Sequence, residues 1–209
     1  MKPELNILRV NAGDIPLYGV LEIDLNTSSF YENPFNPNEV NITALIKAPS
    51  GKSIRIPAFY YQNYSRELGG GGEALTPTGG PYWKLRFSPK EIGQYVVSIK
   101  LQGGGEVITS GNVTFNAHPS DGFGFVELSE GDRRYLKFSN NRSYFFIGHD
   151  VCWFGPNGTY DYDEWFSSMN LNGEDITRIW MAPWAFGIEW ERLGYYDLME
   201  AWRLDYVLR

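Results

Sequence analysis

The residues able to do chemistry gather in the last third of the chain. Arg178 lies inside "ITRIWMAPW", Ile176 to Trp184, a stretch that otherwise reads as a buried strand. A charge inside a strand is costly unless a partner neutralises it, so Arg178 must face a carboxylate or leave the sheet. Upstream, "YFFIGHDVCW" brings His149, Asp150, Cys152 and Trp153 close together in sequence. Cys152 is the sole cysteine, and His118 and His149 are the two histidines. On an extended strand the spacing of His149 and Cys152 puts them on opposite faces, which argues against a thiol–imidazole couple. Cys152 then reads as a small buried hydrophobe, and an intrachain disulfide is excluded. The "GGGGE" run at residues 69–73 lacks the Lys-Ser/Thr pair and following helix of a phosphate cradle. It reads as a mobile hairpin tip.

Aromatic residues make up 16% of the chain, with seven Trp and fourteen Tyr. They have two uses: filling cores, and offering flat rings on which sugars stack. A net charge of -7 argues against nucleic acid, whose phosphates want a basic surface. No apolar run is long enough to enter and cross a membrane, so no membrane insertion is expected. The opening "MKPELNILRV" has no long apolar core of a signal peptide. Six N-x-S/T sequons, at Asn26, Asn41, Asn63, Asn112, Asn141 and Asn157, lean towards a secreted or extracellular protein. No metal or cofactor is expected.

Two kinds of element must position these residues. Residues 17–117 read as all-β: "LYGVLEIDL" alternates, and "EVNITALIKA" puts Val40, Ile42, Ala44 and Ile46 on one face. Further short strands follow at "SIRIPAFYY", "PYWKLRF", "GQYVVSIKL" and "GNVTFNA", a spacing that suggests a two-sheet sandwich. The Gly-x-Tyr before the strand at Tyr95 resembles the tyrosine corner of immunoglobulin-like domains, in which that hydroxyl bonds back to the chain. "NAHPSDGFGF", residues 116–125, is a polar Pro/Gly boundary. Beyond it the order changes. A hairpin turns at Asn140 and Asn141 and its second arm continues as a strand, apolar on both faces as a buried parallel strand should be. A helix follows with Asp161 as cap and Trp165, Phe166 and Met169 as its stripe, ended by Gly173. Then come the Arg178 strand and a helix capped by Asp197, with Leu198, Ala201, Trp202 and Tyr206 as its buried stripe. This is a βαβ unit plus one more helix. A two-stranded parallel sheet cannot bury both faces, and no stop signal precedes Arg209. The expectation is therefore a piece of a longer polypeptide, whose remainder would be its partner.

Two blocks of sequence carry a family resemblance. "FYENPFNPNEV", "ITALIKAPSGKSIRIPAFYYQNYSREL" and "GPYWKLRFSPKEIGQY" resemble the immunoglobulin-like DUF5060 domain at the N-terminus of glycoside hydrolases. "YFFIGHDVCWFGPNGTYDYDEWF" and "ITRIWMAPWAFGIEWERLGYYDLMEAWRLDYVL" are similar to the opening of their catalytic (β/α)8 barrel, of the cellulase-like and mannanase-like clan. The resemblance implies a multidomain chain: an immunoglobulin-like sandwich over 1–118, then the first β/α units of an incomplete TIM barrel over 123–209. It implies O-glycosidic hydrolysis of a β-linked polysaccharide or oligosaccharide by a retaining mechanism. The catalytic Glu pair would come from barrel strands four and seven, beyond this chain, so no catalytic acid is named. Arg178, at the end of strand two, would hold the nucleophile ionised through a charge-assisted contact. His149, Asp150, Trp153, Trp184 and Trp190 would contact substrate. The alternative is a non-catalytic module, either structural or binding carbohydrate through Phe59, Tyr60, Tyr61, Tyr64 and Tyr82.

Overall fold

The computed structural model describes residues 4–209 and is mostly β, with two helices among the described residues. The first three residues of the expected sandwich lie outside that range. The chain forms two compact units. One runs to Tyr60 and resumes over Tyr82–Tyr144; the other takes Tyr61–Pro81 and Phe145–Arg209.

In chain order the strands are β1 (Leu5–Val10), β2 (Asp14–Pro16), β3 (Leu21–Thr27), β4 (Val40–Lys47), β5 (Ser53–Pro57) and β6 (Phe59–Tyr61). The hairpin β7 (Tyr64–Gly69) and β8 (Gly72–Pro77) follows, then β9 (Tyr82–Phe87), β10 (Gly93–Gly103), β11 (Glu106–Thr109) and β12 (Val113–His118). In the first unit one sheet has the order β1-β3-β9-β6 and the other β2-β12-β10-β4-β5, with β11 also on β10. Their inner faces supply a single core. Leu21, Ile23, Leu25 and Leu85 come from the first sheet, and Ile42, Ala44, Ile46, Val97, Ile99 and Leu101 from the second. Each fully buried Leu or Ile contributes about 1.5–3 kcal/mol by leaving water. The expected alternation in β4 is present, with Val40, Ile42, Ala44 and Ile46 buried. β3 starts at Leu21 rather than Leu17, because the chain first turns at Pro16, where Gly19 N donates to Pro16 O, and Tyr18 is left-handed at φ 67°. Tyr95 bonds back as the tyrosine-corner pattern expects: its hydroxyl accepts from Glu91 N (2.9 Å) and donates to Glu91 O (3.1 Å). Its ring stacks on Phe115 at 4.9 Å.

The other face of β3 and β9 carries charges in cross-strand register, Glu22 opposite Arg86 and Asp24 opposite Lys84. Lys84 lies 3.4 Å from Glu22 and 3.3 Å from Asp24, while Arg9 Nε donates to Asp24 at 2.8 Å. Opposite charges placed face to face stabilise a sheet. The unit ends in a small sheet of β13 (Val126–Leu128), β14 (Leu136–Phe138) and β15 (Ser143–Tyr144), turned at Asn141 with φ 67°.

The second unit holds β16 (Gly148–Asp150), α1 (Thr159–Leu171), β17 (Ile176–Arg178) and α2 (Leu198–Val207). β16 and β17 pair in parallel across α1, as the expected βαβ order requires. The strands are short, and the apolar run meant to be buried is open: Phe145 is 84% exposed, and Phe146 and Ile147 are also exposed. The physical reason is that only one face of this two-stranded sheet is packed. Val151 and Ile179 join Tyr162, Met169, Phe186 and Val207 in an apolar cluster against the helices.

Asp197 caps α2, accepting from Met199 N and Glu200 N. Asp161 does not cap α1. The cap position is Gly158, and Asp161 sits in the first turn, accepting from Gly155 N (2.7 Å) and Asn157 Nδ2 (3.0 Å). The α1 N-terminus is instead met by Glu73 of the hairpin, whose Oε1 accepts from Thr159 N at 3.0 Å. A carboxylate there answers both the unpaired N–H and the helix dipole. So the "GGGGE" tip is docked rather than mobile: Glu73 N donates to Pro156 O at 3.0 Å. At Gly72, with φ +103°, a Cβ would lie 2.2 Å from Pro156 O, so the approach requires glycine.

The rest of the hairpin is fastened by polar and aromatic contacts. The Arg66 guanidinium sits between the Tyr160 and Tyr206 rings, 3.9 and 4.0 Å from their centroids. It donates to Thr159 Oγ1 (3.0 Å) and Asp163 (2.6 Å). Glu73 pairs with Arg203 at 2.8 Å, its side chain 1% exposed. Trp202 Nε1 donates to Asn63, and the Tyr64 ring packs on Trp202. Of the tyrosines considered for sugar stacking, Tyr64 packs on α2, and Tyr60 packs against Trp83 and Phe35 in the first unit.

Candidate functional site

Strand alternation sorts the candidate residues. Val151 and Ile179 face the helices, so Asp150 and Arg178, one residue earlier, project from the opposite face. Both end their strands and are direct register partners. Arg178 Nη2 donates to Asp150 Oδ2 at 2.8 Å, and the guanidinium lies 5.4 Å from the Trp180 ring centroid. Pairing continues past the strands, with Val151 N donating to Arg178 O and Trp180 N to Cys152 O. The demand raised by a charge in "ITRIWMAPW" is therefore met within this chain by Asp150. With side chains 67% and 49% exposed, the pair is open to water.

Trp180 brings in the aromatic residues. Its ring is 5.8 Å from Trp153, and Trp153 meets Trp184 edge-on at 5.2 Å. Asp150, Arg178, Trp180, Trp153 and Trp184 thus form one continuous patch of an ion pair and three exposed indoles. Such a patch offers hydrogen bonds beside apolar flat faces, which is what a pyranose ring needs. Trp180 was absent from the sequence expectation, although it follows Arg178 by two residues and alternation places it on the same face.

Two expected members lie elsewhere. His149 faces the other way, opposite Thr177, with Nδ1 2.5 Å from Glu174 Oε2. Trp190 is exposed in the loop between β17 and α2 and makes no ring contact with the three indoles among the described residues. That loop is closed by Asp197 N donating to Ile188 O, and Glu189 accepts from Gly194 N. Cys152 lends its carbonyl to the Tyr162 hydroxyl, whose pKa burial pushes up to about 12. No group of three or more His, Cys, Asp or Glu able to hold a metal occurs among the described residues, and no described helix is long and apolar enough to cross a membrane.

No curated protein matches the sequence. Among solved structures, a "putative glycoside hydrolase" from Bacteroides vulgatus ATCC 8482 has a similar fold, with a TM-score of 0.57 at 14% identity. The match covers 80% of this chain and 28% of that one, so this chain spans little more than a quarter of its neighbour's length. At that identity the likeness concerns the fold. Residues 14–102, which include the β7–β8 hairpin of the second unit, match the family described as "Domain of unknown function (DUF5060)".

Proposed function

We propose that residues 145–209 are the opening of a (β/α)8 glycoside hydrolase domain and that the sandwich before them is its immunoglobulin-like companion. The protein is read as a secreted enzyme acting on a β-linked polysaccharide with retention, its catalytic Glu pair supplied by polypeptide beyond Arg209. The observation that carries this reading is the pair of parallel strands β16 and β17 ending side by side on Asp150 and Arg178. The C-terminal strand ends of such barrels are where catalytic residues gather. Both side chains project away from the helices, towards what would be the barrel interior. Arg178, with Asp150 orienting it, would hold an acidic nucleophile ionised. Trp153, Trp180 and Trp184 would form the floor for the sugar.

The test uses the polypeptide extended past Arg209 as its gene encodes it, assayed for reducing ends on β-glucans and β-mannans. Arg178→Ala should lower kcat on the order of a hundredfold or more and move the acidic limb of the pH–rate profile upward. Arg178→Lys should restore part of the rate, since an ammonium lacks the guanidinium's planar fork. Wild-type turnover in Arg178→Ala, or no hydrolysis by the extended protein, would sink the reading.

A further inference from the structure

A second surface, in the sandwich, has the chemistry of a ligand site. The β3–β4 loop and the β10–β11 turn enclose a groove of about 770 Å³. That lies in the size range of small-molecule sites, roughly 300–1,000 Å³. Phe30 stands in its wall at 93% exposure, although nothing in the fold requires an apolar ring there. Tyr31 lines it too, and its buried hydroxyl has no hydrogen-bond partner among the described residues. Tyr31 lies close against Gly103, where a Cβ would come within 3.1 Å of that hydroxyl. The remaining polar lining is Ser29, Asn38 and the carboxylates Glu32, Glu39 and Glu106. Glu39 is committed to the loop itself, accepting from Asn33 N and Asn36 Nδ2.

We infer that this groove binds a neutral saccharide chain. No cation lines it, so an anionic ligand would be repelled by its carboxylates. A cationic ligand would suit the carboxylates and the ring, but would leave the hydroxyl and amide donors of Ser29 and Asn38 unused. A sugar uses all of them: its hydroxyls both donate and accept, Glu32 and Glu106 accept from neighbouring hydroxyls, and the Phe30 ring covers an apolar sugar face. The inference stands apart from the hydrolase reading, since it concerns different residues in a different unit and needs no catalysis.

The 209-residue chain is run in native gels containing hydroxyethylcellulose, mixed-linkage β-glucan, galactomannan or, as the anionic control, polygalacturonate. At least one neutral polysaccharide should retard it and polygalacturonate should not. Phe30→Ala, a substitution at a surface side chain, should weaken the retarding interaction on the order of tenfold, the loss of one contact ring. Leu171→Ala, an exposed side chain of α1 outside both surfaces, should leave it unchanged, and Trp184→Ala reads any binding at the indole patch. Migration unaffected by every neutral polysaccharide, wild-type retardation of Phe30→Ala, retardation by polygalacturonate alone, or loss in Trp184→Ala but not in Phe30→Ala each overturns the proposal. The last outcome would assign binding to the indole patch and leave the hydrolase reading standing.

Discussion

The two units solve the same burial problem unequally. In the sandwich, β3, β4, β9 and β10 turn their apolar faces on one another, and Leu21, Ile23, Ile46, Val97 and Ile99 lose all contact with water. In the second unit β16 and β17 are covered on the helix side alone, and Phe145, Trp180 and Met181 on or beside them remain exposed. The first holds together by apolar area. The second depends heavily on polar fastenings, because the hairpin β7–β8 grips α1 and α2 through Arg66, Glu73 and Asn63. Apolar burial is spread over many residues and tolerates single losses. A fastening built from a few buried charges does not.

The largest consequence is that the units should separate on dissection. A polypeptide of residues 145–209 loses the hairpin and keeps an open sheet face, so it should show no cooperative thermal transition and should expose apolar surface to dye. The first unit, with residues 62–81 replaced by a short Gly-Ser link, should still unfold sharply. A sharp transition from 145–209 alone would break the comparison.

Glu73→Ala comes next. It strips the α1 N-terminus of its acceptor and leaves Arg203, whose side chain is 15% exposed, with Glu200 as its remaining ion-pair partner. Breaking a buried pair costs about 3–5 kcal/mol. Hydrogen exchange should quicken throughout α1 and α2 and stay unchanged in β3, β4 and β10. Uniform loss of protection in both units would show that they fold as one.

Within the sandwich, Tyr95→Phe should cost about 1–2 kcal/mol, because Glu91 loses the hydroxyl that both accepts from its N–H and donates to its carbonyl. The midpoint of denaturant unfolding should fall with no change in slope. No measurable change would mean that water replaces the hydroxyl.

These contrasts also explain what could be read from the chain. The β4 face was legible because alternation survives when one side is buried and the other is not. The Tyr95 bond was legible because Gly-x-Tyr is local. The patch at Asp150 and Arg178 was half legible: the resemblance put Asp150 and Arg178 at strand ends but grouped His149 with Asp150, whereas adjacent strand residues point apart. The hairpin's attachment was illegible. Arg66, Glu73 and Asn63 are polar residues on what reads as a surface loop, and the partners of their side chains lie between 86 and 140 residues further on. No periodicity links such positions. The same distance hid the cap of α1, which sequence assigned to Asp161 because a carboxylate near a helix start is the local signal.

A smaller effect appears in acid. Burial alone would raise the Glu22 carboxyl pKa, but the hydrogen bond from Arg86 and the charges of Lys84 and Arg86 outweigh it and hold it below the ordinary 4.5. A carboxyl depressed in the folded state contributes stability above its unfolded pKa and loses that contribution as pH falls through the folded value. Sandwich stability should therefore decline from about pH 4.5 downward, and Glu22→Gln should flatten that decline. Parallel pH profiles for the two proteins would remove Glu22 from the account.

The smallest expected effect on stability concerns the residue with the largest proposed role. Arg178 and Asp150 are 67% and 49% exposed, so their pair works in high dielectric and is screened by salt. Exposed ion pairs contribute roughly 0.2–1 kcal/mol. In the 209-residue chain Arg178→Ala should therefore shift the unfolding midpoint of the second unit barely at all, and Asp150→Ala should match it. The double substitution should add nothing, since each single change already removes the pair. This sharpens the comparison of the two units: Glu73 matters to the fold because it is buried, whereas Arg178 is free to serve another purpose because it is not. A loss as large as that of Glu73→Ala would reverse the assignment and make Arg178 a fastening of the fold.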